Sequence, residues 1–212
     1  MTQVPEASSA ATHSDEFFEE HFAHQRVMAV LRGLPPAETV ELCALAWGTG
    51  VELVEVTLQS EDALPSLEAA VAAAKNQGRI VGAGTVTSAG SARRAATAGA
   101  AFTVAPGFDP EVALASLDAG LPHLPGVATP TEIQQARALG FSWLKAFPAA
   151  QLTPAWFKAM LAPFPGIRFV ATGGVDATNA RAFLEAGARA VGVGSALADP
   201  AQVELLAALR YS

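Results

Sequence analysis

The chain has 212 residues, 51% of them hydrophobic and 16% charged, with a formal net charge of -7. That length suits one domain with a large core, and that composition excludes an intrinsically disordered chain. The scattered arginines form no basic block, which argues against a nucleic-acid partner, and no apolar run reaches the length of a membrane span.

The first residues, "MTQVPEASSAATHSDE", lack the basic start and apolar run of a signal peptide. Residues 1–13 are expected to form a disordered leader and residues 14–212 a single domain, in a cytoplasmic protein. "DEFFEEHFAHQ" (15–25) reads as an amphipathic helix, on which His21 and His24 share a solvated face. From there strands and helices alternate. "VMAVLR" (27–32) precedes a helix over 36–50, "ELVEVTL" (52–58) a helix over 61–78, and "RIVGAGT" (79–85) a helix over 88–99. "AFTVAP" (101–106) precedes a helix over 109–120 with an aspartate cap and an early proline. "LPHLPGV" (121–127), the weakest strand, precedes a helix over 129–140 with a threonine cap. "FSWLKAFP" (141–148), "RFVATGG" (168–174) and "AVGVGSAL" (190–197) are followed by helices over 153–166, 176–187 and 199–210.

Glycines such as Gly99, Gly120, Gly140 and Gly187 close the helices, where a left-handed residue is needed. Eight strand–helix units give a parallel sheet, because each crossover helix returns the chain to the same end. The expected fold is α/β: a (β/α)8 TIM barrel with an N-terminal helix. An open doubly wound sheet would carry a glycine fingerprint after its first strand, and "LRGLPP" is not one.

In a barrel, alternate strand residues point inward and functional groups gather at the C-terminal strand ends. The period of two puts Glu55 on the inward face of its strand with Leu53, Thr57 and Gln59. It puts Lys145 on the inward face of "FSWLKAFP" with Trp143 and Phe147. This lysine is one of three in the chain, and desolvation there favours the neutral amine, which attacks carbonyls. A buried core ion pair with Glu55 explains the same two residues structurally. Arg32 ends the first strand and could clamp a carboxylate or phosphate, or simply meet solvent. "VGAGT" lets a ligand approach the backbone and ends in Thr85. "ATGG" (171–174) and "GVGS" (192–195), after the seventh and eighth strands, offer backbone N–H groups where such barrels hold phosphate; tight turns alone would also use these glycines.

Cys43, the one cysteine, sits in "VELCALAW" and reads as a core thiol. His13, His21, His24 and His123 have no partner at metal-ligand spacing, so no metal site is predicted. A carbonyl-attacking lysine, a carboxylate and a phosphate cradle together fit a Schiff-base aldolase acting on a phosphorylated keto acid. A phosphosugar isomerase or epimerase would keep the phosphate turns without needing the lysine, and a phosphate-binding sensor would need neither lysine nor carboxylate.

"AVLRG", "VELVEVTLQS", "GAGTVTS", "VAPGFD", "LPGVATPTE", "LKAFPAA", "PFPGIRFVATGGV" and "AVGVGSAL" stand in order from about Val27 to Leu197. In this the chain resembles the 2-keto-3-deoxy-6-phosphogluconate and 2-keto-3-deoxy-6-phosphogalactonate aldolases. The resemblance implies a class I aldolase that releases pyruvate and D-glyceraldehyde 3-phosphate from one of those two substrates. It implies that Lys145 forms the imine and that Glu55 moves protons, with Thr85, Pro106 and Phe147 lining the pyruvate pocket. It implies phosphate binding by Thr172, Gly173, Gly174, Gly194 and Ser195, a homotrimer, and no metal or organic cofactor. Gln59 stands where some members carry an arginine for the pyruvate carboxylate, a task Arg32 could take over. Thr153-Pro154 stands where many members have Gly-Pro, in a loop that bears on the distal substrate.

Overall fold

The computed structural model describes residues 6–194 and the separate positions 202 and 209. The expected Ser195 and the helix over 199–210 therefore lie outside the described residues, Gln202 and Leu209 apart. The strands are β1 (Val27–Leu31), β2 (Leu53–Thr57), β3 (Gly82–Gly84), β4 (Thr103–Val104), β5 (His123–Leu124), β6 (Gly126–Val127), β7 (Trp143–Ala146), β8 (Arg168–Thr172) and β9 (Ala190–Val193). Between them run α2 (Pro36–Gly48), α3 (Leu64–Lys75), α4 (Ala89–Thr97), α5 (Pro110–Asp118), α6 (Pro130–Ala138), α7 (Ala149–Leu161) and α8 (Ala180–Glu185), with α1 (Glu6–His21) ahead of β1.

All strands are parallel, in the order β5-β4-β3-β2-β1-β9-β8-β7-β6. The two ends of this sheet are one run of chain, since only Pro125 separates β5 from β6. The first half of that run pairs with β4 and the second with β7, so the run bridges the seam and closes an eight-stranded barrel. Proline lacks the N–H that an unbroken ladder would need there, and the break falls on it. The expected (β/α)8 barrel with an N-terminal helix is the observed fold.

Side chains alternate between two layers. Val27, Ala29, Val54, Val56, Leu144, Phe169, Ala171 and Val191 face outward and are buried under the helices. Met28, Leu53, Phe102, Val104, Leu124, Trp143, Val170 and Ala190 fill the lower interior. The capping chemistry read from the sequence is present: Asp109 accepts from Glu111 N, and Thr129 with Glu132 forms a reciprocal capping box.

The N-terminal region departs from expectation. α1 begins at Glu6, so residues 6–13, expected in a disordered leader, are helical. Ala11 and Ser14 are buried, and Phe18 and Phe22 join the lower interior of the barrel. Burying each phenylalanine contributes roughly 1.5–3 kcal/mol, which is what docks the helix. His21 and His24 do not share a helix face: His24 lies beyond the end of α1, while His21 places Nδ1 2.8 Å from Phe17 O. α7 also starts earlier than expected, as one turn over Ala149–Leu152 that breaks at Thr153 (φ 64°, ψ 159°) before Pro154 restarts the helix.

His123 is buried on the outward side of β5, with Nδ1 2.8 Å from Thr103 Oγ1 and its backbone N–H donated to Ser14 Oγ at 3.0 Å. Burial pushes its pKa down from 6.5 to about 3. Above pH 6.5 the ring is neutral in both folded and unfolded chains. Below that, the unfolded chain takes up a proton that the folded one refuses, so stability falls with pH until about pH 3. Between pH 7 and pH 5 this one group should cost about 2 kcal/mol in urea unfolding. His123→Gln should remove that part of the loss; an unchanged pH slope would show that the ring does not titrate this way.

Candidate active site

The upper interior is polar where the lower is not. Glu55, Thr57, Lys145 and Thr172 are the buried polar side chains on inward positions, all toward the C-terminal strand ends. Glu55 lies between Val30 of β1 and Gly82 of β3, and Lys145 between Gly126 of β6 and Val170 of β8. Lys145 Nζ is 3.6 Å from Glu55 Oε1, with side-chain exposures of 4% and 0%. Neither Glu55 oxygen has a hydrogen-bond partner among the described residues. Isolated charges at such depth are costly, so each needs the other.

Gly84 leaves the room in which this carboxylate sits, because a Cβ there would fall 2.6 Å from Glu55 Oε1. On the other side of the lysine, the Phe147 ring centroid is 5.5 Å from Nζ. Trp143 does not flank the amine as Phe147 does. It lies below, stacked on Phe22 at 5.2 Å in the lower interior.

Lys145 opens onto a cleft of about 520 Å³, also lined by Arg32, Phe147, Thr172, Gly173, Gly174 and Gly194. These come from the ends of β1, β7, β8 and β9, as the barrel geometry requires. Arg32 is exposed, and among the described residues its guanidinium makes no ion pair. Thr172 Oγ1 is buried and has no hydrogen-bond partner among the described residues. Gly173 and Gly174 have φ of 89° and 73°, and a Cβ on them would strike the Phe147 ring at 2.9 Å and Ala150 Cβ at 2.6 Å. These glycines therefore let the turn after β8 pack on the segment after the lysine strand, where Ala150 N donates to Gly173 O at 3.0 Å. Asn179 Nδ2 bonds Gly174 O at 2.9 Å, and the Thr178 hydroxyl and nearby backbone N–H groups hold the Asp176 carboxyl below its usual range.

Besides Glu55, which sits behind the lysine, three expected site residues lie outside the cleft lining. Gln59, with its amide oriented so that donors meet acceptors, donates to Thr57 O at 2.8 Å and accepts from Gly33 N at 3.2 Å. It ties the end of β2 to the residue after Arg32. Pro106 packs against Gly126, the neighbour of Lys145, so closely that a Cβ on Gly126 would lie 2.3 Å from Pro106 C. Thr85 is half-buried just past β3 with a φ of 57°. The sequence reading missed the apolar part of the lining: Leu34, Leu42 on α2, and Val175. Apolar residues are ordinary in every element of such a chain, so no local signal marks these. Cys43 is buried, which pushes its thiol up to about 12, and it takes no part.

A family model described as KDPG and KHG aldolase matches residues 18–207. A probable 2-dehydro-3-deoxy-6-phosphogalactonate aldolase of Rhizobium meliloti is 38% identical over 175 residues, 82% of each chain. A solved 4-hydroxy-2-oxoglutarate/2-dehydro-3-deoxyphosphogluconate aldolase superposes with a TM-score of 0.80 at 36% identity, covering 90% of this chain and 96% of its own. The KDPG aldolase of Legionella pneumophila, solved with pyruvate as a covalent carbinolamine, gives 0.77 at 28% identity over 89% and 94%. A buried lysine–carboxylate pair below an open cleft, on a barrel matched along nearly its whole length, places this chain in the KDPG and KHG aldolase family.

Proposed function

We propose that the protein is a class I aldolase that splits 2-keto-3-deoxy-6-phosphogluconate into pyruvate and D-glyceraldehyde 3-phosphate. The observation that carries this is Lys145 Nζ at the floor of the cleft with Glu55 3.6 Å behind it. A neutral Lys145 amine attacks the C2 ketone, giving a carbinolamine that loses water to form an imine. Glu55, directly or through one water, takes the proton that frees the amine for attack and returns it to the departing hydroxyl, which leaves as water from a protonated imine. It then removes the proton of the C4 hydroxyl, the C3–C4 bond breaks, and the bonding pair enters the imine as an enamine. Protonation at C3 and hydrolysis release pyruvate. Phe147 covers one side of the imine and limits where water can reach it.

Arg32 is the free cation of the cleft among the described residues, and its guanidinium suits the substrate carboxylate. Gln59, spent on Gly33 and Thr57, serves to hold that strand end. The turn at Thr172, Gly173 and Gly174, with Gly194 and Ser195, is the proposed phosphate end. The Rhizobium relative, named for the galactonate substrate, favours that epimer as a second reading. The two substrates differ in one hydroxyl configuration, and kinetics with each pure epimer would separate them. The homotrimer and the cytoplasmic location belong to the same proposal and rest on the family resemblance. No described helix is long and apolar enough to cross a membrane.

Borohydride reduction in the presence of pyruvate should attach a pyruvyl group to Lys145, located by peptide mass spectrometry. Lys145→Met should abolish both adduct and turnover with an unchanged circular dichroism spectrum, because methionine keeps most of the volume. An adduct elsewhere, or cleavage by the variant, would refute the assignment.

Glu55→Gln should slow turnover by about 10²- to 10⁴-fold, the span of general acid–base groups. The exchange of pyruvate methyl protons with solvent, followed by NMR, should slow with it; exchange at the wild-type rate would leave Glu55 a purely structural partner.

Arg32→Ala should raise KM for the sugar acid by about tenfold or more, the loss of one charge-assisted bond, with a smaller change in kcat. An unaltered KM would mean that another group holds the carboxylate.

A further inference from the structure

α1 lies on the face of the barrel opposite the cleft, and its polar contacts fall on the starts of strands. Ser14 Oγ accepts from His123 N at the start of β5. Glu19 pairs with Arg168 at 2.9 Å and with Arg189 at 3.5 Å, at the starts of β8 and β9. Asp15 bonds the start of β7: its carboxylate accepts from Ser142 N at 3.0 and 3.1 Å, from Trp143 N at 3.0 Å, and from the Ser142 hydroxyl. Arg168 Nη1 donates to the same hydroxyl oxygen at 2.7 Å.

The seam at Pro125 explains why β7 needs this. Along the side of β7 that faces the seam, Phe147 N donates to Val127 O and Lys145 N to Pro125 O. The next amide down, Trp143 N, would meet His123 O in the same register, but β5 has turned to pair with β4, and among the described residues Trp143 N donates to Asp15 Oδ1 instead. Asp15 stands in for the missing strand. The Trp143 ring is one inward layer below Lys145 and rests on Phe22 of the residues following α1, with Phe18 at 6.5 Å. Below Lys145 the lysine strand is therefore held by β8 on one side and by the N-terminal segment on the seam side, and the N-terminal segment also packs beneath it in the interior.

We propose that Asp15 is a positioning residue for the aldol chemistry, setting the height at which Lys145 meets Glu55 and the substrate carbonyl. This rests on the reading of Lys145 as the imine-forming residue. Its carboxylate touches neither substrate nor reacting atoms; it acts through Ser142 and Trp143.

The test compares Asp15→Asn with Ser14→Ala, which removes a tie from the same helix to β5 instead. Both are folded by circular dichroism before use, and both are expected to lower Tm. With pyruvate and borohydride, Asp15→Asn should slow trapping on Lys145 by about tenfold, since small misplacements of a reacting group cost that much and more. In turnover it should lower kcat while KM stays within about twofold, a split expected of misplacement rather than lost binding. Ser14→Ala should trap at the wild-type rate. Equal slowing in the two variants, or none in Asp15→Asn, overturns the proposal and leaves Asp15 a stabilising tie. If Asp15→Asn does not fold, Ser142→Ala removes the one hydroxyl held by Asp15; slowed trapping in that folded protein supports the proposal and unchanged trapping overturns it. A wild-type protein that forms no adduct on Lys145 overturns the aldolase reading and this proposal together, whereas normal trapping in both wild type and Asp15→Asn overturns this proposal alone.

Discussion

The Lys145–Glu55 contact constrains the rest of the structure. Two opposite charges 3.6 Å apart and almost wholly enclosed are favourable only as a pair, because desolvation costs each several kcal/mol. The barrel accommodates them by what it omits. Gly84 leaves the space beside the carboxylate, and Gly126, pressed on Pro106, keeps the lysine's neighbouring strand close. The carboxylate has no further hydrogen bond among the described residues, which suits the proton transfer proposed for it. A fully bonded carboxylate would be steadier and a poorer base.

Stability is supplied elsewhere. The outward layer between strands and helices is almost wholly apolar, and so is the lower half of the barrel interior. Phe18 and Phe22 complete that lower half from outside the repeating pattern. The polar groups gather above them, where the strand ends open into the cleft. One face of the barrel is thus closed by packing and the other left open at the cleft, and the packed half lets the domain tolerate a poorly solvated ion pair without unfolding.

The turn after β8 shows why a glycine pattern has more than one cause. Gly173 and Gly174 adopt left-handed backbone angles and also admit Phe147 and Ala150 at distances no side chain would allow. The same close packing brings the end of β8 to the ring that covers the lysine. Tight packing by itself asks for glycine here, and the proposed approach of a phosphate would ask for the same residue. Thr153, by contrast, holds a positive φ with a branched side chain, at the break between the first turn of α7 and its main body.

Much of this was legible locally. Strict strand–helix alternation determines a parallel sheet, and the period of two along "ELVEVTL" and "FSWLKAFP" determines that Glu55 and Lys145 face inward, since successive side chains of a strand must point to opposite sides. The helix caps and stop glycines are equally local, and Gly99, Gly120, Gly140 and Gly187 all take positive φ. Local pattern does not carry distance across the barrel. That Glu55 lies behind the lysine rather than in the cleft lining, that Gln59 turns to Gly33 while Arg32 faces the cleft, and that Pro106 braces Gly126 all depend on how the eight strands are staggered around the ring. The role of the N-terminal residues was hidden for the same reason. The need for Asp15 and the two phenylalanines arises only once the run through Pro125 bridges the seam and leaves the base of the lysine strand without a strand neighbour on its seam side. The sequence by itself determined which residues point into the barrel; closure of the barrel decided which of them meet.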